Sequence, residues 1–260
     1  MFIDTHCHLH DEKLIDTDTV VNEYLRDGVD IAINMACCAL TSEKGKDIAE
    51  KYSSVYFGTG CHPSDINGLD DTEFNRIKAL TNHPKCVAIG EIGLDYYWEG
   101  YDKQKQIDGF IRQIELAYEC KLPISIHSRS ATADTLKILK EHKSKLCYGA
   151  VMHCFSGSRE TAAEILKLGL YISFAGPLTF KNANTLLEVA KYVPDDRCLT
   201  ETDSPYLSPH PLRGKVNGPK NVPIILARLA ELKGKDLYEF APIVMKNAKT
   251  LFKKLDTVTI

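Results

Sequence analysis

Long apolar segments are missing from this 260-residue sequence, and no run approaches the about 18 residues that a membrane-spanning helix needs. Asp4 and His6 interrupt the first apolar residues, so we expect no secretory signal peptide and no membrane partner. An excess of positive charge is missing as well, because 32 Lys and Arg stand against 35 Asp and Glu, a formal net charge of -3. This balance excludes bulk electrostatic capture of nucleic acid but is compatible with a local basic patch.

The sequence also contains no Cys-x-x-Cys pair, although it has nine cysteines. An odd number without such pairing favours reduced thiols, and hence a cytoplasmic or nuclear location, over a disulfide framework. Low-complexity stretches and Gly/Ser-rich linkers are absent, so we predict a single domain over residues 1–260. Nothing in the pattern indicates an obligate protein partner.

What the sequence does contain is a repeated alternation of short apolar runs with polar segments of helical periodicity. The predicted strands are 1–6, 30–36, 55–60, 86–92, 123–128, 148–154, 170–175 and 197–203. Buried strands separated by helices are typical of an α/β protein with a parallel (β/α)8, or TIM, barrel. The stretch 222–254 supplies two helices, the last of which is an extra C-terminal addition to the repeat. A doubly wound open sheet is the alternative, but no glycine-rich turn follows the first strand.

Helix boundaries follow from periodicity and from capping residues. The longest helical pattern is 102–121, where apolar residues recur at helical spacing. Ser158 is the predicted N-cap of a helix that ends at Gly169. Ser130 or Thr132 is expected to cap the helix that follows the fifth strand.

The segment "THCHLH", residues 5 to 10, places His6 and His8 at alternate positions where the first strand ends. Alternate side chains of a strand share a face, so these two imidazoles can bind one metal ion. With nine His in 260 residues, about 0.3 such pairs arise by chance, and the pair alone is a weak signal. Whether His6 and His8 bind metal therefore depends on the residues at the ends of the other strands.

Polar side chains recur where the predicted strands end. These residues are His6 and His8, His62, Glu91 and Asp95, His127 and Arg129, His153, and Glu201 and Asp203. In a (β/α)8 barrel the carboxyl ends of the strands form one mouth, which carries the chemistry. Buried charges and imidazoles are costly unless something pairs with them. Four imidazoles and two carboxylates at one mouth therefore predict bound metal rather than a purely structural polar network.

Six ligands are too many for one tetrahedral ion, so we predict two divalent cations that share a bridging carboxylate. Glu91 is the expected bridge, because its strand lies between the two groups of ligands around the barrel. The groups are His6, His8 and Asp203, on strands that adjoin when the barrel closes, and His127 and His153. Nitrogen and oxygen ligands are compatible with Zn, Mn, Mg, Ni and Fe, so the ligand set leaves the identity of the metal open.

The sequence resembles the TatD-type metal-dependent deoxyribonucleases, within the amidohydrolase-like metallohydrolases. The matching segments, between residues 4 and 219, are "DTHCHLH", "GCHP", "GEIGLDYY", "IHSR", "HCFSGS", "ETDSPYL" and "RGKVNGP". The resemblance implies a (β/α)8 fold, two divalent ions (Mg, Mn or Zn) and hydrolysis of DNA phosphodiester bonds, often as a 3′-to-5′ exonuclease. It places the metal ligands of the family at His6, His8, Glu91, His127, His153 and Asp203.

These residues predict a mechanism for phosphodiester hydrolysis. A water between two cations has a lowered pKa and supplies hydroxide at neutral pH. Asp203 is predicted to accept the proton of that water, and Glu91 to act with it by bridging the ions. His62, Arg129 and Arg213 are predicted to contact the substrate, the two arginines through its phosphates.

Several positions have two interpretations. Ser130 stands where the family often has an acidic residue, and its predicted capping role is expected to suffice. His10 stands where Asp is common, and it is interpreted as a surface or loop residue, with a place beside the substrate as the alternative. Glu201 is either a partner of the ligands or structural. Aromatic residues that either stack on bases or belong to the core are Tyr96, Tyr97, Trp98 and Phe155.

The alternative function is a bimetallic hydrolase of the amidohydrolase type, acting on a small amide, ester, lactone or aminoacyl bond. Many such barrels bridge their ions with a modified Lys on the fourth strand. This sequence has Glu91 at that location, which favours the nuclease. A metal-binding scaffold without catalysis is disfavoured by the complete ligand set.

Overall fold

Eight parallel strands form one sheet in the computed structural model, which describes residues 1–14 and 16–256. The strands are β1 (Phe2–Cys7), β2 (Val29–Asn34), β3 (Val55–Thr59), β4 (Cys86–Asp95), β5 (Ile124–Arg129), β6 (Ala150–Met152), β7 (Tyr171–Phe174) and β8 (Cys198–Thr200). The helices are α1 (Thr17–Arg26), α2 (Ala39–Lys51), α3 (Asp71–Leu80), α4 (Lys103–Cys120), α5 (Thr132–Glu141), α6 (Arg159–Lys167), α7 (Asn184–Tyr192), α8 (Val222–Leu232) and α9 (Leu237–Leu251). Short 3-10 turns cover Ile66–Gly68, Lys143–Leu146, Gly176–Thr179, Asp195–Arg197, Pro219–Asn221 and Lys253–Asp256.

The strands follow one another in chain order from β1 to β8, and each hydrogen-bonded pair of neighbours is parallel. Every predicted strand segment overlaps an observed strand, and a helix lies between each strand and the next. The predicted (β/α)8 barrel is therefore confirmed. α9 directly follows α8 and is the predicted C-terminal addition to the repeat.

The carboxyl ends of β1 and β8 meet and bring the two ends of the sheet together. The Asp203 N–H donates to the His6 carbonyl oxygen at 2.9 Å. The buried Asp4 carboxylate accepts a hydrogen bond from the Thr202 N–H at 2.9 Å. An isolated parallel bridge extends this junction by one residue. The segment after β8 is thereby held against the end of β1, at the mouth of the barrel.

Apolar side chains cover the amino ends of the strands. Ile3, Ile31 and Val151, near the starts of β1, β2 and β6, belong to one buried cluster with Met245 of α9 and Phe252 directly after it. The C-terminal addition therefore buries one end of the barrel. The polar residues of the strands lie towards the opposite, carboxyl ends, where a barrel of this type carries its chemistry.

The helix boundaries confirm one predicted cap and correct another. Ser158 caps α6, because its hydroxyl accepts a hydrogen bond from the Thr161 N–H at 3.3 Å. The prediction of Ser130 or Thr132 as the cap of α5 is wrong, since Ala131 is the N-cap and no side chain bonds there. Ser130 has φ 55°, a left-handed backbone conformation that differs from the extended one usual for an N-cap. Among the described helices, none combines the length and apolarity that crossing a bilayer requires.

Candidate metal centre

The structure brings the six predicted metal ligands together at the carboxyl ends of the strands. His6 lies in β1, Glu91 in β4 and His127 in β5, while His8, His153 and Asp203 lie just after β1, β6 and β8. Their side chains are at most 17% exposed. Two of these side chains thus come from the end of β1, and β4, β5, β6 and β8 each bring one to the same place.

Glu91 lies at the centre of this group and directs its two oxygens to different imidazoles. Oε1 lies 2.8 Å from His127 Nδ1 and 2.7 Å from His153 Nε2. Oε2 lies 3.3 Å from His6 Nε2 and 3.7 Å from His8 Nε2. One carboxylate therefore faces two pairs of imidazoles, which is the geometry that a bridging role requires.

Asp203 joins the pair formed by His6 and His8. Its Oδ1 lies 3.3 Å from His8 Nε2 and 3.8 Å from His6 Nε2. The backbone of Asp203 has φ 55°, a left-handed conformation that turns the chain just beyond β8. We call these three residues the first cluster, and His127 with His153 the second cluster, with Glu91 shared between them.

The remaining ring nitrogens of the imidazoles are held by acceptors. His8 Nδ1 lies 2.9 Å from the Met35 carbonyl oxygen, and His153 Nδ1 lies 3.2 Å from Glu201 Oε1. Because a carbonyl and a carboxylate accept hydrogen bonds, these contacts assign the proton to Nδ1 of each ring. In the neutral rings Nε2 then carries the lone pair that a metal ligand must present.

The ring nitrogens of His127 and His6 have different partners from those of His8 and His153. His127 Nε2 lies 3.1 Å from Asp95 Oδ2, and its Nδ1 lies 2.8 Å from Glu91 Oε1, so each ring nitrogen faces a carboxylate. With the proton of the neutral ring held by Asp95, Nδ1 would carry the lone pair that a metal ion requires. His6 Nδ1 lies 3.2 Å from the Ser125 hydroxyl. In the described part of the chain, His6 Nε2 is buried without a hydrogen-bond partner.

The close packing of imidazoles and carboxylates shifts their pKa values in opposite directions. Burial opposes the ionisation of Glu91, yet His153, His62 and His6 lower its pKa well below the usual range. Burial also opposes the charged form of His153, yet Glu91 and Glu201 raise its pKa well above the usual range. The mouth of the barrel therefore favours positive charge between these side chains, in the form of protons or of cations.

His62 differs from the imidazoles of the two clusters. Its Nε2 lies 3.6 Å from Glu91 Oε1, but its Nδ1 accepts a hydrogen bond from the Ser64 N–H at 3.0 Å. Burial lowers the pKa of His62 to about 4, so the ring is neutral at pH 7. The proton of the neutral ring is then on Nε2. Neutral His62 therefore presents a donor to the mouth, whereas neutral His8 and His153 would present lone pairs.

Arg129 and two aromatic rings lie at the end of β5, next to the second cluster. The guanidinium carbon of Arg129 lies 3.7 Å from the centroid of the Tyr97 ring and 5.5 Å from that of Trp98. These rings are 54% and 56% exposed, whereas Tyr96 is half-buried and Phe155 is buried. Of the four aromatic residues singled out in the sequence, Tyr97 and Trp98 are thus the exposed ones.

Arg213 is not brought into contact with the clusters. It is exposed in the loop after β8, and its guanidinium carbon lies 4.2 Å from the centroid of the Phe180 ring. Asn217, in the same loop, donates hydrogen bonds to the Thr202 and Tyr206 carbonyl oxygens. The loop is therefore tied to the segment that carries Asp203, and the substrate role of Arg213 stays a prediction.

The sequence indicated no role for three partners of the imidazoles, although it placed one of them, Asp95, at the mouth. Ser125 precedes His127 by two residues in β5, and the alternation of a strand would have placed both on one face. Asp95 stands four residues after Glu91 in β4, an even spacing that likewise predicts one shared face of the strand. The Met35 carbonyl belongs to the backbone, so no side-chain pattern indicates it.

Comparisons with known proteins agree over almost the whole chain. Residues 3–253 match the family model described as TatD related DNase. The uncharacterized metal-dependent hydrolase YabD of Bacillus subtilis is 42% identical over 254 residues, covering 97% of this chain and 99% of the relative. The 3′-5′ ssDNA/RNA exonuclease TatD of Citrobacter koseri is 35% identical over 242 residues, covering 91% of this chain and 93% of the relative.

A solved structure supports the same relationship. The crystal structure of YJJV, a TatD homologue from Escherichia coli, matches with a TM-score of 0.92 and 30% identity. The match covers 97% of this chain and 98% of the homologue. The chain therefore belongs to the family of TatD-related DNases.

Proposed function

We propose that this chain is a metal-dependent hydrolase that cleaves phosphodiester bonds of DNA as a 3′-to-5′ exonuclease. Its relatives include a protein named a metal-dependent hydrolase and another named a 3′-5′ ssDNA/RNA exonuclease. The observation that carries the proposal is the division of the Glu91 carboxylate between two clusters of imidazoles. Two adjoining cation sites suit an anionic phosphodiester, whose attacking and leaving oxygens both need charge stabilisation.

The residues of the two clusters fit a pair of divalent cations, for which Mg²⁺, Mn²⁺ and Zn²⁺ are the candidates. His6 Nε2 has no hydrogen-bond partner among the described residues, yet it faces Glu91 Oε2 at 3.3 Å. A proton or a cation between this nitrogen and the carboxylate would stabilise the pair, and both atoms are of the kinds that bind divalent metals. When bound, the cations lower the pKa of water and neutralise the phosphate. The residues that would hold them are His6, His8 and Asp203, and His127 and His153, with Glu91 shared.

Asp203 is the residue that we assign to proton transfer. Burial opposes its ionisation, but the hydrogen bond with His8 and the nearby imidazoles lower the pKa of Asp203. The carboxylate is therefore ionised at neutral pH and able to accept a proton from the attacking water. Its side chain is 15% exposed, against 4% for Glu91, so water in the mouth reaches Asp203 more easily.

Side chains around the clusters offer the groups that a DNA strand requires. The Nε2–H of His62 donates to a phosphate oxygen, and Arg129 binds a phosphate through its guanidinium. Tyr97 and Trp98 provide exposed faces for stacking a base, an interaction that every base can make. Arg213 contacts a phosphate farther along the strand. Binding is expected to be salt-sensitive and tolerant of sequence.

Single-stranded DNA labelled at either end tests the proposal in the presence of Mg²⁺, Mn²⁺ or Zn²⁺. We expect 5′-labelled strands to shorten step by step, and a 3′ label to be released at once as a mononucleotide. A chelator should abolish both reactions, and added metal should restore them. Stepwise shortening of the 3′-labelled strand would reverse the polarity. Hydrolysis of esters or lactones without action on DNA would replace the proposal with the amidohydrolase-type function.

Arg129→Ala should raise KM for DNA about 10-fold with little change in kcat, because a phosphate contact that persists in the transition state supplies uniform binding. The slope of log KM against log salt should fall by about 1. Arg112→Ala is a matched control, since Arg112 lies over the Phe74 ring at 3.8 Å, as Arg129 lies over Tyr97 at 3.7 Å. An unchanged KM for Arg129→Ala, or an equal rise for Arg112→Ala, would contradict the assignment.

A further inference from the structure

A second group of ligand types adjoins the first cluster without using Glu91 or Asp203. His8, His10 and Cys37 each offer one ligand atom, and these three atoms lie within 4.8 Å of one another. Tetrahedral Zn²⁺ holds nitrogen and sulfur ligands at about 2.0–2.3 Å, so such ligands are about 3.3–3.8 Å apart. Side-chain movements of about 1 Å would therefore close the three residues around an ion.

The two imidazoles of this group are held in orientations that suit ligation. His10 Nδ1 lies 3.1 Å from Oδ1 of the buried Asn34, and His8 Nδ1 lies 2.9 Å from the Met35 carbonyl oxygen. These acceptors assign the ring protons to Nδ1 and leave Nε2 with a lone pair. An acceptor behind each ring is the usual support of a metal-binding His.

Cys37 is positioned by its backbone. Its N–H donates to the Thr41 hydroxyl at 2.8 Å, and its carbonyl oxygen accepts a hydrogen bond from the His62 N–H at 2.9 Å. Its Sγ lies within 4.8 Å of the ligand atom of His8. The sulfur therefore faces the ring that the first cluster also uses.

We propose that His8, His10 and Cys37 form a third cation site, which selects Zn²⁺-like ions over Mg²⁺ and Mn²⁺. Imidazole and thiolate ligands favour borderline and soft metals, whereas Mg²⁺ and Mn²⁺ favour oxygen. Binding deprotonates the Cys37 thiol, and the proton passes to solvent. His8 Nε2, which lies 3.3 Å from Asp203 Oδ1, can bind one ion at a time. An ion in the third site therefore takes His8 from the first cluster, whose own ion would keep His6, Asp203 and Glu91.

Competition for His8 predicts that Zn²⁺ inhibits the enzyme, an effect that rests on the proposed nuclease activity. Zn²⁺ in excess of the ions that support catalysis should inhibit the Mn²⁺-loaded enzyme. Cys37→Ser and His10→Gln should retain the Mn²⁺-dependent activity and lose most of this inhibition. Equal inhibition of the variants and the wild type would show that Zn²⁺ acts elsewhere.

The site itself is tested with Co²⁺, without any assay of activity. Titrated with Co²⁺, the wild type should bind a third equivalent that brings a thiolate-to-cobalt charge-transfer band in the near ultraviolet. Cys37→Ser should lose this band, and both variants should bind the third equivalent at least about 100-fold more weakly. Cys38→Ser is the matched control, because the neighbouring thiol lies 3.5 Å from the Thr41 hydroxyl and is outside the group.

Each result of the titration decides the proposal. Absence of the band in the wild type, or its persistence in Cys37→Ser, would overturn it. A band that accompanies the first two equivalents would also overturn it, by making Cys37 a ligand of the paired centre. A Cys37-dependent third equivalent in a protein that does not cleave DNA would support the site and refute only the proposed nuclease.

Discussion

Glu91→Gln is expected to lower kcat/KM for DNA cleavage by about 1,000-fold and to reduce the bound divalent metal from two ions to one or fewer. The amide keeps the shape of the side chain but loses the negative charge that both clusters share. Its nitrogen also carries two protons, which would hydrogen-bond to neutral imidazoles now 2.7–3.7 Å from the carboxylate and so compete with metal for their lone pairs. Both cation sites are therefore affected by one change.

Elemental analysis and steady-state kinetics measure this result, and circular dichroism checks that the fold persists. Glu115→Gln is a suitable control, because it makes the same chemical change on α4 in a half-exposed residue paired with Lys145. The barrel should remain folded, since Gln fits the same space and the imidazoles can release their protons. Full activity with two bound ions in Glu91→Gln would refute the bridging role.

Asp203→Asn is expected to lower kcat by about 100-fold to 1,000-fold, with a smaller change in KM. The carboxylate is the proposed acceptor of the proton from the attacking water, and an amide oxygen is too weak a base to replace it. Metal should be lost from the first cluster alone, because the second cluster and Glu91 make their contacts without Asp203.

The contrast with Glu91→Gln is the critical comparison, because Asp203→Asn should retain about one tightly bound ion. Asp196→Asn serves as the control for an Asp that is 72% exposed and remote from the clusters. A wild-type kcat in Asp203→Asn would remove the proton-transfer role. Loss of both ions would show that the two clusters do not bind metal independently.

Much of the architecture follows from local pattern. Apolar runs of strand length separated by amphipathic helices predicted all eight strands of the barrel, because a parallel sheet buries both faces of its strands. The same pattern located the six central residues, since the carboxyl ends of parallel strands must share one edge. The error at the start of α5 has a local cause as well. Ser130 is a common capping residue, but its φ of 55° removes it from the cap.

Other features depend on residues that are distant in the chain. Asp203 adjoins His6 only because β8 meets β1 across a separation that no local pattern measures. The nitrogen that each imidazole presents is set by acceptors on other strands, such as Asp95 for His127 and Glu201 for His153. The guanidinium of Arg213 lies over the Phe180 ring, a contact that no local pattern indicated, and its substrate role stays a prediction.

The sequence by itself determined the strands, the helices and the kinds of side chain at the mouth, because these depend on the periodicity of burial along the chain. Only the tertiary structure decided how Glu91 divides its oxygens, which ring nitrogens face it, and that His10 and Cys37 lie beside His8. Distances of a few ångströms between side chains are set by the closure and twist of the whole sheet. The pattern of residues within one segment does not determine distances of a few ångströms between side chains of different strands.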